Sequence, residues 1–295
     1  MNFLVTTLDT PVNQEKIIHN SQELIENSKK ELSVENLKLI MSLIDLTTLN
    51  VTDNEEVVTE MCNKVEGFQD VFPKIPNVAA ICVYPSLISV VRSAISKPDF
   101  GIASVGAGFP ASQTFPEIKI QEVKLAVESG ANEIDIVLSV GKFLAGKFND
   151  VYDEIVGLKS AAGSAKLKVI LETGALPDYD TVRKASVLAM AAGADFIKTS
   201  TGKISPAATP EAFLVMVNAI SDFYKETGKS IGIKPAGGIS TAEDALIYFN
   251  IVKGVLGKDW LNNKLFRIGA SRLTNNLLYK IHELSGEEYS NQSYF

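Results

Sequence analysis

The chain has 295 residues, of which 46% are hydrophobic and 21% charged, and its formal net charge is −7. That length admits one large domain or two medium ones, with ample apolar material for a core. The acidic field argues against nucleic acid and anionic membranes as partners, so an anionic substrate needs a local basic site.

The two cysteines, Cys62 and Cys82, form no CxxC pair, and the two histidines, His19 and His282, lie near the chain ends. Neither a zinc site nor a Ser-His-Asp triad is suggested, and no metal or other cofactor is expected. Proton chemistry then falls to Lys, Asp, Glu, Tyr or water. Residues 1–10 lack a signal peptide's basic start and apolar segment, and no window reaches the roughly 18 apolar residues of a membrane span. The expected location is the cytoplasm.

In chain order, residues 1–38 are rich in Asn, Glu, Gln, Lys and Ser. They read as an N-terminal extension, a loose leader followed by a surface helix over 14–30 that packs on the main domain or on a partner subunit. A rhythm then fills 39–285. Apolar runs rich in β-branched residues at 41–47, 78–84, 100–106, 133–138, 167–172, 195–200, 230–236 and 266–271 alternate with longer amphipathic stretches. Their near-continuous hydrophobicity fits strands buried on both faces. Helix signals fill the gaps. Thr52-Asp53-Asn54-Glu55 matches a capping box, and Thr209-Pro210-Glu211 gives a cap, a proline and an acid in one first turn. Ser129-Gly130-Ala131 and Ala191-Ala192-Gly193-Ala194 end helices just before strands. Eight such units predict an α/β fold, a (β/α)8 TIM barrel with an N-terminal helical extension. No GxGxxG follows the first strand, which disfavours a dinucleotide fold. Residues 286–295 read as a mobile tail ending in Ser293-Tyr294-Phe295.

Catalytic side chains of such a barrel lie at the C-terminal ends of its strands. Lys198 and Lys234 are the sharpest anomalies there, each near the end of an apolar run on neighbouring strands. Both are expected to point into one mouth. Burial and a neighbouring cation both lower a lysine pKa and yield the free amine that attacks a carbonyl. The competing reading makes them structural lysines paired with Asp135 or Asp45. Asp135, a lone acid in an apolar strand, reads as a proton shuttle or as a counter-ion, with Lys168 as its neighbour. Asp45 reads equally as a structural acid binding backbone amides or as a substrate ligand. Cys82 reads as a buried core thiol. Gly-rich turns at Ser200-Thr201-Gly202-Lys203, Gly237-Gly238 and Gly269-Ala270-Ser271 suggest a phosphate cradle, with Lys203 as counter-charge. A tail tyrosine, Tyr294, either folds over the mouth or belongs to a disordered end.

The strings Ile44-Asp45-Leu46-Thr47-Thr48-Leu49-Asn50, Ala79-Ala80-Ile81-Cys82-Val83-Tyr84-Pro85, Lys168-Val169-Ile170-Leu171-Glu172-Thr173-Gly174, Asp195-Phe196-Ile197-Lys198-Thr199-Ser200-Thr201-Gly202-Lys203, Gly232-Ile233-Lys234-Pro235-Ala236-Gly237-Gly238 and Phe266-Arg267-Ile268-Gly269-Ala270-Ser271 resemble the deoxyribose-phosphate aldolases in order and spacing. The resemblance implies a class I, metal-independent aldolase acting on a small phosphorylated sugar, with room for homo-oligomeric assembly. The reaction would interconvert 2-deoxy-D-ribose 5-phosphate with D-glyceraldehyde 3-phosphate and acetaldehyde. It makes Lys198 the imine-forming nucleophile, Lys234 the lysine that tunes it, and Asp135 the proton relay with Lys168 bonded into it. Thr201, Gly202, Lys203, Gly237, Gly238, Gly269 and Ser271 would surround the phosphate. Ser112 and Arg272 stand where related sequences often have a glycine and a second small hydroxyl residue. Two rivals are a transaldolase-like barrel and a barrel that binds phosphorylated ligands without catalysis.

Overall fold

The apolar runs become eight parallel strands: β1 (Ile44–Thr47), β2 (Ala80–Val83), β3 (Gly101–Gly106), β4 (Glu133–Val137), β5 (Lys166–Ile170), β6 (Phe196–Lys198), β7 (Gly232–Lys234) and β8 (Ile268–Ala270). Their order is β7-β6-β5-β4-β3-β2-β1-β8, and the parallel bridges Ile233–Phe266 and Ala236–Gly269 join the two ends into a barrel. The computed structural model describes residues 10–97, 100–287, 289 and 293–295. The leader expected over residues 1–9 lies outside them. The helices used below are α1 (Gln14–Ser28), α2 (Val34–Met41), α3 (Glu55–Glu66), α4 (Ile88–Ala94), α5 (Pro116–Glu128), α6 (Phe148–Ala162), α7 (Tyr179–Ala191), α8 (Pro210–Thr227), α9 (Ala242–Leu256) and α10 (Leu273–Ser285). From α3 onward one of these helices follows each strand, with short extra turns of helix at Phe68–Val71 and Val140–Leu144, as a (β/α)8 barrel allows. None of the described helices is long and apolar enough to cross a membrane.

Side chains alternate across a strand, and here the two faces differ in chemistry. The outward face carries Ile44, Ile81, Ile102, Ile134, Ile136, Leu167, Val169, Ile197, Ile233 and Ile268, all buried against the helices in one continuous core. The inward face is apolar only in part, where Cys82, Ala103 and Val105 cluster with Leu49. Elsewhere it carries the charged Asp45, Glu133, Asp135, Lys168, Lys198 and Lys234, with Phe196 below them. Both faces are buried, as the sequence suggests, but inside the barrel burial rests on ion pairing as well as on hydrophobicity.

Some local expectations shift. Met41 closes α2 and lies outside β1. The cap of α3 is Asn54, whose side chain accepts from the Val57 amide, and Thr52 plays no part in it. Asp53 is drawn the other way, accepting from the Thr48 hydroxyl and the Asn50 amide to tie down the loop after β1. Thr209 does cap α8, ahead of Pro210, and accepts from the Ala212 amide. A complete capping box occurs at Thr241 and Asp244 of α9. α1 lies on the outside of α8 and α9. Ile17 is buried there, Asn250 Nδ2 donates to the Leu24 carbonyl at 2.7 Å, and Lys253 meets Glu31 at 2.6 Å.

The barrel floor is filled by Phe196, whose ring occupies the space that a Cβ on Gly232 of the neighbouring strand would need. Such an atom would stand 2.3 Å from the nearest ring carbon. Overpacking of this kind costs roughly 1–3 kcal/mol. Gly232→Ala is therefore expected to lower the melting temperature by several degrees in calorimetry, and Phe196→Leu in the same chain should recover part of the loss.

Candidate active site

Six charged side chains close a ring inside the barrel. Glu133 Oε1 meets Arg267 at 2.8 Å, Arg267 meets Asp45 Oδ1 at 2.5 Å, and Asp45 Oδ2 faces Lys234 at 2.5 Å as an ion contact without hydrogen-bond geometry. Lys234 donates to Asp135 Oδ2 at 2.8 Å, Lys168 donates to Asp135 Oδ1 at 2.9 Å, and Lys168 returns to Glu133 Oε2 at 2.5 Å. Acid and base alternate all the way round. The strand pattern explains the placement. Glu133 and Asp135 are two residues apart on β4 and so share its inward face, while Lys198 and Lys234 stand side by side in register on β6 and β7.

Lys198 is the seventh charge. Its Nζ donates to Asp135 Oδ2 at 2.8 Å, the same oxygen that Lys234 uses. The ring sets the proton affinities. Burial pulls Lys198 down, Asp135 pulls it up and Lys234 pushes it down again, leaving it below the ordinary lysine range. For Lys234, burial is outweighed by Asp135 and Asp45, so it holds its proton more tightly than a free lysine. Lys168 is likewise raised, because Asp135, Glu133 and Asp45 outweigh its burial. Burial would raise Asp135, but Lys168, Lys198 and Lys234 hold it well below the usual carboxylate range. The site therefore holds one lysine inclined to be a free amine and two inclined to stay charged.

Lys198 is also the only one of these seven groups that reaches the mouth. A cavity of about 660 Å³ at the C-terminal ends of the strands is lined by Lys198 but not by Lys234, Asp135 or Lys168. The expectation that both lysines point into one mouth is thus corrected: Lys234 lies beneath, fully buried between Asp45 and Asp135. Asp45 is corrected too. Among the described residues its side chain meets no backbone amide, and it does not line the cavity, because the buried cations Arg267, Lys234 and Lys168 surround its oxygens. Cys82 is buried in the inward apolar cluster, and burial pushes its thiol up.

The glycine-rich turns surround the same cavity. Thr201, Gly202, Lys203, Gly237, Gly238, Gly269 and Ser271 all line it. Gly237 has φ +86, and a Cβ there would stand 2.6 Å from Ala207, so the chain passes where a larger residue has no room. Lys203 Nζ donates to the Leu49 carbonyl and joins the loop after β6 to the loop after β1. Thr201 is held by Glu172: its amide and hydroxyl donate to that carboxylate at 3.1 and 2.5 Å. Arg272 lines the cavity beside Ser271, and its side chain has no hydrogen bond or ion pair among the described residues. Ser112 at φ +57 keeps a serine where a glycine would sit easily, and its hydroxyl accepts from the buried Lys119 at 2.8 Å.

The tail differs from expectation where it is described; residues 288 and 290–292 lie outside the described set. Asn275 accepts from the Tyr294 and Phe295 amides and donates to the Phe295 carbonyl. Ser293 and Phe295 line the cavity. The Tyr294 hydroxyl instead donates to the Lys64 carbonyl at 2.8 Å, and its ring packs edge-on against Phe68 and Phe72. Aromatic burial and a waiting carbonyl draw that hydroxyl away from the mouth.

Three participants went unpredicted: Glu133, Arg267 and Glu172. Glu133 was legible as a second acid at period two from Asp135. Arg267 was legible as a cation next to an apolar run bound for burial. Glu172 was marked only by its place just past β5, since its left-handed backbone, φ +55, is a property of the fold.

A family model of the DeoC/LacD family aldolases matches residues 39–255. Human deoxyribose-phosphate aldolase is 42% identical over 269 residues, covering 88% of this chain and 85% of its own. The mouse deoxyribose-phosphate aldolase is 40% identical over 288 residues, covering 93% and 91%. Among solved structures, a tetrameric deoxyribose phosphate aldolase from Aeropyrum pernix is similar with a TM-score of 0.66 at 25% identity, over 87% of this chain and 96% of that one. The chain is a lyase and belongs to the DeoC/LacD aldolase family.

Proposed function

We propose that the protein cleaves 2-deoxy-D-ribose 5-phosphate reversibly to D-glyceraldehyde 3-phosphate and acetaldehyde through a Schiff base on Lys198. The observation that carries this reading is one nearly buried amine of lowered proton affinity that lines the foot of a cavity rimmed by glycine turns. The Lys198 amine adds to the C1 aldehyde of the open-chain sugar, and loss of water leaves an imine. Protonated at nitrogen, the imine is an electron sink. The C2–C3 bond breaks into it while the C3 hydroxyl gives up its proton, so glyceraldehyde 3-phosphate departs and an enamine remains on Lys198. Protonation at C2 and hydrolysis then release acetaldehyde and restore the amine.

Asp135 faces the nitrogen of Lys198, so its carboxylate supports the cationic imine and serves proton transfer there, reaching the C3 hydroxyl through water. Lys234 and Lys168 keep Asp135 ionised. The phosphate end of the sugar fits the turns at Gly202, Gly237, Gly238 and Gly269, with Ser271 and Lys203 beside them. Homo-oligomeric assembly fits the tetrameric Aeropyrum pernix neighbour. A cytoplasmic setting fits a phosphorylated substrate, because a charged group crosses a bilayer at high cost.

Acetaldehyde with borohydride should leave one reduced two-carbon adduct, mapped by mass spectrometry to the peptide containing Lys198, and Lys198→Ala should lose both adduct and turnover. An adduct elsewhere sinks the mechanism. Asp135→Asn should lower kcat by roughly a hundredfold or more with little change in KM, the size expected for lost acid–base assistance. A change confined to KM would reassign Asp135 to positioning. Lys203→Ala removes a charge-assisted contact of roughly 1.5–3 kcal/mol. It should raise KM for the phosphorylated sugar by about one to two powers of ten and leave unphosphorylated deoxyribose nearly unaffected.

A further inference from the structure

The ring of six charges has a property that no single pair in it shows. It contains three acids, Glu133, Asp45 and Asp135, and three bases, Arg267, Lys234 and Lys168, each with at least two neighbours of opposite sign, and Lys168 also faces Asp45 across the ring at 3.7 Å. Its charges cancel without Lys198. A protonated Lys198 therefore adds an unmatched cation to a buried, already neutral assembly, and buried net charge is what a low-dielectric interior resists most.

We infer that the ring acts by charge parity, and that Arg267 and Glu133, remote from the cavity, are positioning residues that decide whether Lys198 carries a proton. The inference rests on the Schiff-base reading of Lys198. Arg267 is the ring's fixed charge, since a guanidinium does not lose its proton in a protein. It anchors Asp45 and Glu133, and these in turn secure Lys234 and Lys168. With Arg267 present, Lys234 and Lys168 satisfy the remaining negative charge, and Lys198 is the proton holder the assembly can spare. Without Arg267, the ring carries one excess negative charge, and Lys198 is the group left to cancel it.

The other groups facing this set are few. Lys198 is bordered by Asp135 on β4, Lys234 on β7 and the buried Cys82 on β2. Lys168 is bordered by Asp135, Glu133, Asp45 and Lys234. At the floor, Lys166 comes within 3.9 Å of Glu133, but its side chain is 38% exposed, so solvent screens it. Asp195 also faces Lys166 and is itself paired with Lys159 at 2.6 Å.

Parity makes opposite predictions for the two remote residues. The test is the rate of borohydride-trapped adduct on Lys198 with acetaldehyde, measured against pH in the full-length protein. Arg267→Met should move the rising arm of that profile to higher pH by about one unit, the size expected for one buried charge at this remove. Glu133→Gln, nearly isosteric, should move it to lower pH by a similar amount. The double variant, neutral again, should return the arm to within a few tenths of a unit of wild type. A purely structural role would slow both variants without moving the arm in opposite directions, and would make the double variant worse than either. If Arg267→Met does not fold, as judged by circular dichroism, Glu133→Gln alone decides, because only parity predicts a downward shift from loss of an acid that never touches Lys198. Arms that stay in place while wild type still forms the Lys198 adduct overturn the parity inference and leave the Schiff base standing. Absence of adduct in wild type overturns the Schiff-base reading itself.

Discussion

A charge moved out of water must find a partner, and the inside of this barrel is organised around that requirement. An unpaired buried ion costs several kcal/mol, and one missing partner in a pair is more damaging than replacing both by apolar groups. Seven ionisable groups nevertheless converge between β1, β4, β5, β6, β7 and the start of β8, with Arg267 the bottom cap and Lys198 the top. A stable core did not need them, since Cys82, Ala103 and Val105 fill the other side of the same interior with apolar atoms. The charged side is better understood as a device for holding one amine in a chosen protonation state. The outward isoleucine and valine face carries the stability.

The device works only if its geometry is fixed, and the surroundings fix it. The strands hold Lys198 and Lys234 in register, so both reach one carboxylate oxygen. Phe196 packs the floor against Gly232. At the mouth, Glu172 adopts a left-handed backbone, which strains a non-glycine residue by roughly 1–3 kcal/mol, and its carboxylate takes two bonds from Thr201 in return. Lys119 pins the loops after β3 and β4 through Ser112 and Ser139, and ties them to α6 through Glu154. The rim is thus as tightly bonded as the interior, although its residues come from distant parts of the chain.

Much of this was legible beforehand because the relevant signals are local. Apolar runs such as Glu133-Ile134-Asp135-Ile136-Val137 show both the strand and its anomalous acid in five residues. Lys198 and Lys234 stand out for the same reason. Where expectation failed, the deciding partner was remote in sequence. The pairing of Arg267 with Asp45 spans 222 residues, and the hydroxyl of Tyr294 meets a carbonyl 230 residues away. Neither separation leaves a trace in composition or period. The cap of α3 failed at shorter range, because Asp53 had a better use in the loop after β1.

The sequence alone determined the barrel, since hydrophobic periodicity and turn chemistry act over a few residues and repeat eight times. It also determined which side chains are costly to bury, and so which ones demand an explanation. The tertiary structure decided how those costs are met. It placed Lys234 and Asp45 under the cavity floor, left Lys198 alone at the surface of the mouth, and closed Glu133, Arg267, Asp45, Lys234, Asp135 and Lys168 into one ring. Proton affinity depends on distances between charges and on their removal from water. Both quantities exist only once the strands have met.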